Sequence, residues 1–272
     1  MKMVKKVLLG LAAAATIMAF FGCKMVDDEN GAIQGKNNDY TVDYTNESAT
    51  EYRAYKSTSL QHAGALVKVT FENPNESSYC KMGAIFDLDE KNGKRSFYIM
   101  GLSAAKDKNF YVSRFENVSD IQDKNFGAND EASDPAVETV IWDKNTTNGI
   151  GSITRPALVD GKLTYYLYYK AFKNSGENPT KGYWEWGLYT FSDAEAELAK
   201  EVIKDKNANL ASLNAIKTNV KAGTIEDAFD LKTGGGIPQN KVAVYAKIDA
   251  GKTLTGSWKY LDMYKESEEI EE

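Results

Sequence analysis

Hydrophobic and polar positions alternate with a period of two over most of this chain, in runs rich in β-branched and aromatic residues. The runs are Tyr40–Thr45, Ala65–Glu72, Gly83–Leu88, Arg95–Leu102, Phe110–Phe115, Val137–Trp142, Leu163–Phe172 and Tyr183–Phe191, with Val242–Ile248 and Leu254–Leu261 following late. Each reads as a half-buried strand. Asn92-Gly93 falls between two runs, a strong hairpin signal, and Asp160-Gly161 closely precedes another. Ten or so strands with local turns and no alternating helices predict a mainly β fold, an antiparallel β-sandwich.

The period changes to helical over about residues 192–222. Ser192 and Glu195 have the spacing of a capping box, Leu198 and Val202 lie one turn apart, and Leu210, Leu213 and Ile216 follow at nearly one turn. Asn207 and Asn209 divide the segment, and Gly223 closes it. The expectation is a helical insert whose apolar stripe packs on the sandwich; an exposed stripe would make it a partner-binding element instead.

The opening of the chain follows another rule. Lys2, Lys5 and Lys6 precede the uncharged run Val7–Phe21, which has the length of a secretory h-region and is short of the roughly 20 residues of a spanning helix. Small Gly22 then precedes Cys23. This arrangement resembles the lipobox of bacterial lipoproteins, with Phe20 and Phe21 departing from the family's preference for Leu and a small residue at those positions. The resemblance implies cleavage after residue 22, acylation of Cys23, and a partner in the lipid bilayer at the bacterial cell envelope, facing the periplasm or the outside. Residues 23–38 are polar and read as a flexible tether, 39–265 as one domain, and 266–272 as an acidic tail.

Charge and cysteine content narrow the function classes. Without the three leader lysines, 30 basic residues face 39 acidic ones, and no basic stripe is present, so nucleic acid is not an expected partner. With Cys23 acylated, Cys80 has no disulfide partner and reads as a small half-buried apolar residue. One histidine, His62, and one spare cysteine do not make a usual zinc set, and Asp87, Asp89 and Asn92-Gly93 miss calcium-loop spacing, so no metal or cofactor is expected. A Ser-His-Asp triad would depend wholly on His62, and Gly234-Gly235-Gly236 lacks the Lys-Ser/Thr of a phosphate loop.

Carbohydrate chemistry draws on the aromatic strands. In Lys181–Tyr189 alternation puts Trp184, Trp186 and Leu188 on one face and Tyr183, Glu185 and Tyr189 on the other. In Leu163–Phe172 it separates Tyr166 and Tyr168 from Tyr165, Leu167 and Tyr169. If the two strands pair, Trp184, Trp186, Tyr166 and Tyr168 are candidates for an aromatic platform for a sugar; equally, these rings fill a sandwich core. The strand order, the late aromatic pair and the C-terminal strand, over roughly residues 40–261, resemble the concanavalin A-like lectin and glucanase jelly roll. The glucanases of that fold carry a Glu-x-Asp-x-x-Glu strand, which this chain lacks, so the resemblance implies a non-catalytic binding module for a glycan or protein rather than a hydrolase. For the hydrolase alternative, Glu185 is the first carboxylate to test; a third reading is a structural component of the envelope that uses the helical insert.

Overall fold

The alternating runs close into two antiparallel sheets packed face to face. The computed structural model describes residues 32–36, 38–47, 50–72, 74, 80–105, 110–118, 137–143, 156–176, 179–210, 219–232 and 235–266. Within them the strands are β1 (Ile33–Lys36), β2 (Asp39–Asn46), β3 (Glu51–His62), β4 (Gly64–Phe71), β5 (Lys81–Lys91), β6 (Lys94–Ser103) and β7 (Phe110–Val118). There follow β8 (Val137–Asp143), β9 (Leu163–Lys173), β10 (Lys181–Tyr189), helix α1 (Asp193–Lys204), β11 (Asn219–Asp230), β12 (Asn240–Ile248) and β13 (Lys252–Tyr264). One sheet has the order β1-β2-β13-β4-β9-β10-β11 and the other β3-β12-β5-β6-β7-β8.

Both hairpin signals form as expected. Asn92 and Gly93 (φ 53° and 73°) turn β5 into β6, and Asp160 and Gly161 (φ 50° and 76°) close a tight turn just before β9. The ten expected strands all appear, and three more join them at sheet margins. β1 shortens the expected tether: Ile33–Lys36 pairs with β2, and Ile33 is fully buried because it enters the inter-sheet core. β3 and β11 form the other unforeseen edges.

The helical insert is smaller than its sequence pattern. Only Asp193–Lys204 is helical among the described residues, and Asn219, Val220 and Gly223 belong to β11, where Gly223 pairs with Trp186 instead of ending a helix. The capping box is present: Glu195 N–H donates to Ser192 Oγ at 3.4 Å and Ser192 N–H to Glu195 Oε2 at 2.9 Å. The buried face consists of Ala196, Ala199, Val202 and Ile203, while Leu198 is 38% exposed, so small residues rather than a leucine stripe let α1 lie close on β4 and β13. Leu213, Ile216, the leader with Cys23, the loop at 124–135 and the tail beyond Glu266 lie outside the described residues.

The inter-sheet core is aromatic. Phe86 of β5 stacks on Tyr169 of β9 with ring centroids 4.9 Å apart and meets Trp184 of β10 edge-on at 5.2 Å. Polar ties cross the same space. Tyr165 OH donates to Met82 O at 2.7 Å and accepts from Leu102 N–H at 3.2 Å, and Tyr260 OH donates to Ala243 O at 3.0 Å. A second buried cluster, including Ile85, Phe97, Ile99, Tyr111, Phe115 and Tyr245, occupies the opposite face of the six-stranded sheet.

Replacing Tyr165 by Phe leaves Met82 O without its donor while keeping the ring. The expected outcome is a loss of about 1–2 kcal/mol in urea unfolding with an unchanged slope. An unchanged midpoint would show that this tie contributes nothing to stability.

Candidate functional site

The four candidate aromatic residues lie on paired strands but on opposite faces of their sheet. In the β9–β10 register Trp186 stands opposite Tyr169 and Leu188 opposite Leu167, whereas Tyr168 faces Gly187 and Tyr166 faces Tyr189. Directly opposed residues share a face. Trp184 and Trp186 therefore point into the core, Trp186 meeting Phe110 of β7 at 5.7 Å, while Tyr166 and Tyr168 join Tyr189 and Phe191 on the outer face beside α1. All four are buried, with 1% and 3% exposure for the tryptophans and 5% and 0% for the tyrosines. Of the two alternatives, a sugar platform and a packed interior, the four rings take the packed one, and no single platform forms, because alternation fixes faces within a strand and only the register aligns them between strands.

Glu185 occupies the outer face too, far from a substrate-accessible position. It is 3% exposed and stands directly opposite Lys170, which is fully buried. The Lys170 ammonium reaches past α1 and donates to Val202 O at 3.4 Å, to Ala208 O at 3.0 Å and to Asp205 O. Carbonyls at a helix C-terminus lack intrahelical partners and attract cations, so this lysine caps α1 from a neighbouring strand. Burial pulls its pKa down to about 8 against the opposing pull of Asp205 and Glu185. Nothing in the sequence pattern marks Lys170, since a lone lysine in an aromatic strand reads as an edge or solvent position.

His62 and Cys80 are separate structural residues. His62 is 1% exposed and shares a 2.7 Å hydrogen bond between Nε2 and Tyr169 OH. It stands opposite Asn240 at the start of β12, while Cys80 adjoins Lys81, opposite Lys247 near the other end. Seven residues of strand separate those two levels, on the order of 20 Å. Cys80 accepts from Asp249 N–H at 3.4 Å, and the two residues do not form a nucleophile–base pair.

The carboxylate with unusual chemistry is Asp87. It sits at an irregularity in the β5–β6 pairing with φ 54°, 9% exposed, within 3.9 Å of Arg114. Burial pushes its pKa up to about 6, partly offset by Arg114 and by the nearby Trp184 indole. The indole N–H favours the carboxylate by proximity but closes no hydrogen bond of regular geometry. Arg114 also lies 4.9 Å over the Tyr98 ring and holds Glu116 at 3.0 Å. Beyond this cluster, Asp89, Lys91, Asn92, Lys94, Ser96 and Asn117 line a polar depression of about 280 Å³ at the β5–β6 hairpin. In the sequence Asp87 stands out only in a failed calcium-loop spacing and, with Asp89 and Glu90, as the nearest approach to the glucanase carboxylate motif; the pairing irregularity at which it is buried leaves no signature in the pattern.

Among the described residues, no group of three or more His, Cys, Asp or Glu side chains is placed to hold a metal ion. No described helix is long and apolar enough to cross a membrane. Compared with known proteins, the chain matches no family model, no curated protein and no solved structure.

Two outcomes follow from this geometry. Trp184→Ala removes a fully packed ring and is expected to cost about 3–5 kcal/mol in thermal or urea unfolding; a loss below about 1 kcal/mol would contradict its core position. Asp87 binds its proton more firmly folded, at about 6, than at its ordinary 3.8. The folded state thus holds the extra proton between those values, and stability falls as pH rises from about 4 to about 6. At ~1.4 kcal/mol per pH unit the loss is of order 3 kcal/mol. Asp87→Asn, which tolerates the left-handed backbone, is expected to flatten this slope and to stabilise the protein at pH 7.5; an unaltered pH profile would contradict the assignment.

Proposed function

We propose that the chain is a lipid-anchored protein of the bacterial cell envelope, acting without catalysis as a binding or adhesion domain. The observation that carries this reading is the leader ending in Gly22-Cys23, with the first strand beginning only ten residues later at Ile33. Each acyl CH₂ buried in a bilayer contributes about 0.8 kcal/mol, so more than one chain on Cys23 anchors the protein stably. A rigid antiparallel sandwich beside the bilayer is a suitable carrier for exposed loops and edges, where a ligand meets the protein. The candidate aromatics Trp184, Trp186, Tyr166 and Tyr168 support the fold in this reading, since a glycan would have to open the core to stack on them. Two sheets of seven and six antiparallel strands are compatible with the jelly-roll resemblance, which supports a binding-module role.

A glycoside hydrolase remains the second reading, favoured by one observation: Asp87 has the raised pKa that a general acid needs and lies beside a tryptophan. Glu185, buried opposite Lys170, is the weaker candidate for that role.

Growth with labelled palmitate tests the anchor. Label is expected in the mature chain and absent from Cys23→Ser; an unlabelled wild-type chain with its leader cut elsewhere would refute the proposal. Hydrolysis of a β-glucan that disappears in Asp87→Asn would replace the binding reading with the catalytic one.

A further inference from the structure

Three large apolar side chains are exposed among the described residues: Leu158 at 42%, Val159 at 69% and Leu198 at 38%. Two of them are adjacent, on the tight turn before β9. Val159 and Lys162 exchange both backbone hydrogen bonds at 2.9 Å around Asp160-Gly161, so the apolar pair is presented by a hydrogen-bonded hairpin tip. Lys162 beside it is paired with Glu72 at 2.7 Å, so the exposed Asp160 at the apex is the one charge of the tip that this pair does not balance.

The sheet register places this tip relative to the start of the domain. Ile33 stands opposite Val42, Val42 opposite Gly256, Gly256 opposite Phe71 and Phe71 opposite Leu163, one row running across β1, β2, β13, β4 and β9. The chain enters β1 from the same side of that row on which the Leu158–Lys162 turn projects. Four strand steps separate the two points, about 19 Å at ~4.8 Å each. Cys23 lies nine residues before Ala32, a reach of at most about 32 Å. The opposite end of the same sheet is polar: Lys173 pairs with Glu266 at 3.1 Å, Asn174 donates to Asp227 at 2.8 Å, and Ser175 is exposed.

We infer that the Leu158–Val159 tip is a membrane contact, seated on the lipid surface that receives the acyl chains of Cys23. This rests on the lipid-anchor reading. Anchor and tip give the domain two points of attachment at one end, so it stands on the bilayer in a fixed orientation with the β9–β10 hairpin turned outward. Apolar side chains leave water at the headgroup boundary, while the single Asp160 charge stays among the hydrated headgroups, where no ion has to be desolvated.

The test uses the acylated full-length product reconstituted in vesicles of phosphatidylethanolamine and phosphatidylglycerol, with a nitroxide quencher on the lipid chains. Bimane is attached at Val159→Cys or, as the far-end control, at Ser175→Cys; the wild-type chain, whose Cys80 is buried, sets the labelling background. Quenching at position 159 is expected to exceed that at 175 at least threefold. Equal quenching in a chain that carries palmitate label would overturn the tip contact. Strong quenching at 159 in an unlabelled chain would instead remove the anchor reading and leave the tip as a contact in its own right, and an unlabelled chain without quenching would overturn both.

Discussion

Aromatic side chains packed between the two sheets hold this sandwich together, and the rest of the structure adapts to them. Sheets stack about 10 Å apart, a gap that one layer of interdigitated rings fills. Phe86, Tyr169 and Trp184 meet at its centre. Tyrosine brings a hydroxyl into a space where an unpaired one is costly, so several rings are placed where their oxygens reach a carbonyl of the facing sheet, as Tyr165 reaches Met82 and Tyr260 reaches Ala243. Such ties fix the offset of one sheet on the other, which apolar packing alone leaves loose.

The same constraint explains where the chemistry went. Residues that look reactive in a list, such as the single histidine, the spare cysteine and the carboxylate between two tryptophans, are each consumed by packing. His62 serves Tyr169, Cys80 accepts a backbone N–H, and Glu185 faces Lys170. Asp87 is the exception, a buried carboxyl on a left-handed residue whose charged form is poorly accommodated.

The interior strands were legible in the sequence, and of the four edge strands only β8 was. β1, β3 and β11, the strands without a sequence signal, are all sheet edges, where only one neighbour and partial burial are required and the alternation weakens. In Glu51–His62 the core-facing positions include Arg53 and His62, which no hydrophobic pattern selects. Gly223 was legible only as a helix stop, yet its hydrogen is needed because a Cβ there would come within 2.7 Å of the Trp186 ring. The faces of Trp184 and Tyr168 were each readable within their own strand. Their separation became visible only with the register between strands, a long-range property that single-strand periodicity does not encode.

Lys170 ties a short helix to the middle of a sheet. Lifting α1 away would strip the ammonium of Val202, Asp205 and Ala208 at once and leave it only Glu185 and the rings of Phe172 and Tyr264. Fraying from the helix C-terminus is therefore penalised from outside the helix, and opening of α1 is energetically linked to opening of β9. A twelve-residue helix that would be marginal in isolation is thereby tied to the cooperative unit of the central strands.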